Sequence, residues 1–286
     1  MHVLLATCRA LPEPDPDDRL LLAALESRGI STRYAAWDDP EERWQDADLI
    51  VLRSTWNYYR RPADFLDWAE RAGRAAPLCN PLDVIFWNHD KRYLLELERL
   101  GVPIVPTVRL PRGTAGRLEE RVRARGWREV VVKPAISASS FRTARFGPSA
   151  WPAGEAHLST LLDLGDVLIQ EYMPEVEEYG ERALVWIDGV FTHAVRKSPR
   201  LMEETEQVSE AVAITPEEEE IGERALKAVE PGKLLYARVD VVPDTNGKPR
   251  IMELELIEPS LFLLQSPAAL DRFARAIEAR LQGKRM

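Results

Sequence analysis

The chain has 286 residues, 45 % apolar and 30 % charged, with a formal net charge of −9. That length supports a substantial core in one large or two to three small domains. The acidic balance excludes a nucleic-acid backbone as main partner, because phosphate contacts need a basic surface.

His2-Val-Leu-Leu-Ala-Thr7 is a short apolar run suited to a buried parallel strand. Met1–Leu5 lacks the basic and long apolar regions of a leader peptide. Asp17–Arg28 has helical periodicity (Leu20, Leu21, Ala24, Leu25) stopped by Gly29. Ser31–Trp37 and Ala47–Arg53 read as the next two strands, which makes a βαβ pattern with ligands at the strands' carboxyl ends. Arg53-Ser-Thr-Trp-Asn-Tyr-Tyr59 follows at such a position. Two readings stand for it: a grip on a small polar substrate, or a loop with a half-buried Trp.

Pro62–Arg74 reads as a helix and Asn80–Trp87 as a loop or short turn. A helix then opens at Asn88, with Asn88 or Asp90 as cap. Lys91 in its first turn opposes the helix dipole; a bound phosphate would resolve that, and a solvated lysine is the plain alternative. Glu129-Val-Val-Val-Lys-Pro134 is a strand that ends in Lys133. The small, serine-rich Ala135–Phe141 follows, and Arg142–Phe146 resumes alternation. Strand, loop, strand suits a flap that closes over phosphates, with an ordinary hairpin as the alternative.

Asp166–Pro174 is a strand that runs into a turn, and Gly180–Lys197 is two strands around Asp188-Gly189. Leu201–Ser209 is polar and reads as mobile; Pro216–Ala228 is an acidic helix, and Pro267–Leu281 an amphipathic one. Between these helices, Arg238–Pro243 and Pro249–Leu256 alternate around Asn246-Gly247, a type I′ hairpin signal. Centring the turn there sets Asp240 opposite Glu253, Arg238 opposite Glu255 and Val242 opposite Ile251. Val239, Val241, Met252, Leu254 and Leu256 form the core face. Like charges across a strand pair destabilise it. The acidic face therefore reads either as a hard divalent-cation site or as a solvated face with an Arg238–Glu255 ion pair.

Arg238-Val-Asp, a strand turn, Glu253-x-Glu255 and a following Pro259 resemble the end of the ATP-grasp ligases, a family that includes D-alanine–D-alanine ligase and glutathione synthetase. The similarity is greater still to small members around the D-cycloserine-forming O-ureido-D-serine cyclo-ligase. The resemblance implies that Asp240, Glu253 and Glu255 hold Mg²⁺. It implies that Arg238 faces the acyl phosphate or tetrahedral intermediate, with Lys197 and Arg196 as cations nearby. ATP contacts are implied for Lys91, Lys133, Ser137, Ser139, Ser140 and Glu181, and for the adenine hinge Gln170, Glu171, Tyr172 and Met173. Substrate-side roles are implied for Arg53, Ser54, Trp56, Asn57 and Ser260. Glu255 departs from the Asn of many relatives, and serines replace the glycines of many phosphate loops.

The expected fold is therefore α/β and α+β. An N-terminal βαβ open-sheet domain (1–88) precedes a linker helix and first lobe with the phosphate loop (89–170). A second lobe carries the metal-binding hairpin (171–286), and the two lobes clamp ATP. The expected activity is ATP- and Mg²⁺-dependent ligation of a carboxylate to an amine or similar nucleophile, through an acyl phosphate on a small amino-acid-like substrate. A kinase-like enzyme that stops at phosphoryl transfer and a non-catalytic nucleotide-binding module are the alternatives. Cys8 and Cys79 match no disulfide or metal spacing and point to a cytoplasmic setting. No run of about eighteen apolar residues spans a membrane, and homo-oligomerisation stays open.

Overall fold

The computed structural model describes residues 1–11, 13–115, 117–198 and 207–283. Most of the polar stretch Leu201–Ser209 lies outside the described residues. Three four-stranded sheets organise the chain. In the first, β1 (His2–Thr7), β2 (Ser31–Ala36), β3 (Leu49–Ser54) and β4 (Leu78–Cys79) run parallel in the order β2-β1-β3-β4. The crossovers are α1 (Pro16–Glu26) and α2 (Pro62–Ala75). β1 is apolar from Val3 to Ala6 because both its faces are covered: Val3 and Leu5 meet Leu21 and Leu25 of α1, while Leu4 and Ala6 meet Phe65 and Trp68 of α2.

The 80–100 region differs from expectation. Leu82–Asn88 forms a helix, α3, and the next helix, α4, begins only at Tyr93 and ends at Arg99. Asn88 caps nothing. Its amide donates to Leu254 O at 2.8 Å and accepts from Leu256 N–H at 2.8 Å. The Lys91 N–H donates to Ala135 O at 2.8 Å, and Asp90 accepts from Arg92 N–H at 2.9 Å. These tertiary bonds break the helix where local periodicity would continue it.

The second sheet is antiparallel, β5 (Thr107–Leu110), β6 (Val130–Pro134), β7 (Ala144–Phe146) and β8 (Val167–Glu171), ordered β5-β8-β6-β7. Helices α5 (Leu118–Arg123) and α6 (Trp151–Leu164) bury Leu118, Val122, Leu158 and Leu161 against its valines. After the short helix α7 (Glu175–Glu178), the third sheet holds β9 (Glu181–Ile187), β10 (Val190–Lys197), β11 (Tyr236–Pro243) and β12 (Pro249–Glu255), ordered β10-β9-β11-β12. The β9–β10 turn is the tight one expected, with Asp188 and Gly189 both at positive φ (43° and 97°).

Helix α8 (Pro216–Leu226) packs Ile221 and Ala225 with Leu184 and Trp186 of β9. Helix α9 (Pro267–Leu281) packs Phe273 and Ile277 with Ala183, Val185 and Ile187 on the opposite face. That second cluster also contains Val3, Leu5, Leu21 and Leu25, so the first and third sheets share one core. At the far end of the same face, the residues in register turn from apolar to charged: Glu181, Lys197, Arg238, Asp240, Glu253 and Glu255. Among the described residues no helix is long and apolar enough to cross a membrane.

Candidate active site

The β11–β12 hairpin aligns Arg238 with Glu255 and Asp240 with Glu253, as expected. Beyond that pair the register slips by one: Val241 faces Ile251 and Val242 faces Arg250, so Val242 does not meet Ile251. The extra residue is Met252, and a bulge of this kind turns it out of the core face. Met252 lines the cavity beside Glu253, while Ile251 is fully buried. The turn is not type I′ either. Asn246 stays outside the left-handed region, which Gly247 alone enters (φ 76°). The Asp244 carboxylate accepts from the N–H groups of Asn246 at 2.8 Å and Lys248 at 3.1 Å, which favours a three-residue loop.

Asp240 lies beneath the cavity wall, 0 % exposed. Arg238 Nε donates to its Oδ1 at 2.8 Å, and Lys197 Nζ donates to its Oδ2 at 2.9 Å. Lys197 also pairs with Glu181, Arg238 with Glu255, and Lys91 with Glu253. Burial would raise the Asp240 carboxyl, but Arg238 and Lys197 hold it well below the usual carboxylate range. Burial likewise works against the Glu253 carboxylate, yet Lys91 and Lys133 hold its pKa at about 2. Burial wins at Glu181, pushed up to about 8 despite Lys197, and it raises Glu255 against Arg238. Lys133, 7 % exposed, forms no ion pair among the described residues. Burial lowers its pKa, with Glu253 opposing.

A cavity of about 300 Å³ joins these groups. One end is lined by Val105, Val131, Met173, Val176 and Met252, with Gln170, Glu171 and Tyr172 beside them. The Gln170 amide is fixed by donating to Thr107 Oγ1 at 3.0 Å, and the Arg145 guanidinium covers the Tyr172 ring at 3.6 Å. Ser137, Ser139 and Ser140 form part of the wall with Lys133. Ser139, Ser140 and Arg142 sit at positive φ (50°, 56° and 52°), a strained state for residues with a Cβ. The opposite end gathers Trp56, Tyr58, Arg238, Glu255, Glu258 and Ser260.

Four expected site residues stand apart. Arg53 is buried, donating to Asp18 at 2.8 Å and to Pro259 O at 3.2 Å. Ser54 donates to Asp18 at 2.8 Å, and Asn57 holds Asp38 and the Trp37 indole. None of the three lines the cavity: Asp18 at the start of α1 takes Arg53 and Ser54 inward, and Asp38 with Trp37 takes Asn57. Arg196 points out of the opposite face of β10 from Lys197, against Glu178 O and the Tyr179 ring. Sequence reading gave no role to Thr143 or Glu258 and marked Tyr58 only as part of the Arg53–Tyr59 segment, though all three are in the cavity wall. A glutamate before a proline carries no periodic signal, and only its motif neighbours Glu253, Glu255, Pro259 and Ser260 marked the region.

The family described as D-cycloserine synthetase DcsG, N-terminal domain, matches residues 3–80. The cycloserine biosynthesis protein DcsG of Streptomyces lavendulae is 32 % identical over 298 residues, covering 99 % of this chain and 100 % of that protein. The chain belongs to the DcsG family of ATP-grasp ligases. The crystal structure of D-cycloserine synthetase DcsG superposes with a TM-score of 0.90 over 98 % of this chain and 100 % of its own. D-alanyl-alanine synthetase A from Vibrio cholerae (TM-score 0.72, 14 % identity, 99 % and 98 % covered) shares the fold. So does the ATP-grasp ligase PsnB, solved with a precursor variant, Mg and ADP (TM-score 0.69, 16 % identity, 98 % of each chain). This DcsG-family enzyme is an ADP-forming ligase that makes a C–N bond.

The donor set fits the metal. One oxygen from each of Asp240, Glu253 and Glu255 lies within 4.8 Å of the others. Hard carboxylate oxygens at that separation are close to what an ion with bonds of about 2.1 Å gathers, with sites left for phosphate oxygens.

Proposed function

We propose that this ligase phosphorylates the carboxylate of a small amino-acid-like substrate with ATP and joins the resulting acyl group to an amine or similar nucleophile. The observation that carries this reading is Lys133: a buried ammonium with no ion pair among the described residues, in the same wall as a serine-rich loop and the carboxylates of Glu253 and Glu255. An unpaired buried cation is costly unless an anionic ligand completes it, and polyphosphate is such a ligand. In this reading Gln170–Met173 and the apolar end receive adenine, and Glu181 lies on the nucleotide side. Lys91, Lys133 and Ser137–Ser140 receive phosphates, with Asp240, Glu253 and Glu255 holding Mg²⁺. The ion supplies charge neutralisation on the transferred phosphoryl group.

Arg238 and Lys197 stabilise charge on the acyl group, since both line the cavity together with Glu253, Glu255, Trp56 and Ser260. Trp56 and Ser260 bound the substrate. The functional units run 1–88, 89–170 and 171–286. The test is ADP release with ATP, Mg²⁺ and a panel of D- and L-amino acids, with hydroxylamine present to trap an acyl phosphate as hydroxamate. Wild type should yield both ADP and hydroxamate, and Asp240→Asn should lose both by about 10³-fold. ADP without hydroxamate or amide product would overturn the acyl-phosphate route.

A further inference from the structure

Two side chains of the acidic or basic residue types in the cavity wall are at least nine-tenths buried and lack an ion-pair partner among the described residues: Lys133 and Glu258. Lys133 belongs to the phosphate end already described. Glu258, 8 % exposed, lies at the other end with Trp56, Tyr58, Arg238 and Ser260, and its carboxylate makes no hydrogen bond among the described residues.

Its backbone, in contrast, is held at every step. The Trp56 indole N–H donates to Glu258 O at 3.0 Å, Arg53 to Pro259 O at 3.2 Å and Arg238 to Ser260 O at 3.4 Å. The Asp17 carboxylate accepts the Leu261 N–H at 3.0 Å and the Leu263 N–H at 2.7 Å. Arg53 and Asp17 thus act from beneath the substrate end. A segment fixed on both sides that presents one unpaired carboxyl to a cavity is a preorganised subsite, in which binding need not order the receiving group. What completes a buried carboxylate is a cation with N–H donors. The Trp56 and Tyr58 rings in the same wall suit a small ammonium.

We propose that Glu258 binds the substrate's amino group, making it the side chain that selects an amine-bearing substrate over its hydroxy analogue. The inference rests on the ligase reading above, because it assumes that an amino-acid-like molecule occupies this end. Its competitor is a fourth ligand to the metal, since Glu255 is three residues away.

The experiment measures ADP release with ATP, Mg²⁺ and amino acids, each paired with its hydroxy-acid analogue (D-serine with D-glycerate, D-alanine with D-lactate). Wild type should prefer the amino acid. Glu258→Gln should raise the amino-acid KM by about tenfold or more and erase that preference. ATP KM, the Mg²⁺ requirement and the melting temperature in Mg²⁺ and ATP should stay within twofold or two degrees of wild type, and Glu258→Asp should restore part of the preference. An unchanged amino-acid KM, or a rise confined to Mg²⁺ or ATP, overturns the proposal and moves Glu258 to the metal. No ADP release by wild type with any amine in the panel would instead overturn the ligase reading on which it rests.

Discussion

Lys133 and Arg238 are both buried cations on one wall, and truncating them should have opposite consequences for the folded protein. Lys133 forms no ion pair among the described residues, so Lys133→Ala removes a desolvated charge while Glu253 keeps Lys91 as its partner. It should leave the melting temperature of the ligand-free protein unchanged or higher, while weakening ATP binding by about tenfold or more. Arg238 holds Asp240 through two hydrogen bonds of 2.8 Å and also pairs with Glu255. Arg238→Ala leaves both carboxylates short of a counter-charge and should cost about 3–5 kcal/mol of stability, seen as a lower melting temperature. Equal melting temperatures for the two variants would mean that the ion pairs carry no stability. Glu258 allows a check by pH in metal-free buffer. Burial, then repulsion from Glu255, raises its carboxyl from 4.5 to about 8, with Glu253 adding and Lys91 and Arg238 opposing. A carboxyl raised on folding contributes stability that is full below pH 4.5 and is lost as pH climbs through 8. Glu258→Gln should therefore match wild type at pH 4 and melt several degrees higher at pH 8, and a gap of the opposite sign would rule out the buried unpaired state.

Elements in this chain follow local pattern until a tertiary hydrogen bond or a side-chain acceptor offers something better. The β9–β10 turn obeys its Asp188-Gly189 signal, whereas the β11–β12 turn does not, because Asp244 captures two N–H groups and reshapes the loop. Metal-side register survives nonetheless, since the slip falls between Asp240 and Val241, on the turn side of the paired acids. The discord of Lys91 with a helix start left a solvated lysine open, and its ATP contact was implied by the family resemblance; the helix begins two residues later, so the discord itself does not arise. The Ser137–Thr143 loop between β6 and β7 shows what the sequence could indicate and what it could not. Small polar residues allowed a flap or an ordinary hairpin, but nothing marked where the loop rests, with Phe141 against the Tyr59 ring at 4.6 Å between centroids. That contact spans the flap and the substrate-side loop, and three residues at positive φ leave the flap strained. Hydrogen exchange in 137–143 should be fast in the free protein and slow at least about tenfold with ATP and Mg²⁺. Tyr59→Ala should speed it in the free protein alone. Equal protection with and without nucleotide would remove the flap role.

At the scale of the whole molecule, the βαβ beginning and the β6–β7, β9–β10 and β11–β12 hairpins were legible because their strands and turns carry local signals. Strand β5 and helices α5 and α6 were not read. What joins the sheets was not legible either, because it runs through single polar side chains far apart in sequence. Asn80 is the clearest of these, fully buried at the end of the first sheet. Its amide donates to Tyr236 O at 2.9 Å and Leu256 O at 2.7 Å, and its carbonyl accepts the Leu235 N–H at 2.7 Å. One side chain thereby satisfies three backbone groups next to β11 and β12, on the strands that carry the acidic cluster. Asn80→Ala leaves those groups unpaired in a site from which water is excluded. Each such group costs about 1–3 kcal/mol, so the variant should lose on the order of 3–5 kcal/mol, or roughly 10 °C in melting temperature. The loss should arrive as one shifted transition rather than two. The cluster that contains Val3, Leu5 and Leu25 also contains Val185, Tyr236 and Phe273, so the first sheet has no separate core on this side to melt alone. A calorimetric scan of Asn80→Ala decides the point. A small early transition beside an unmoved main one would show that the first sheet folds independently and that the shared core contributes little.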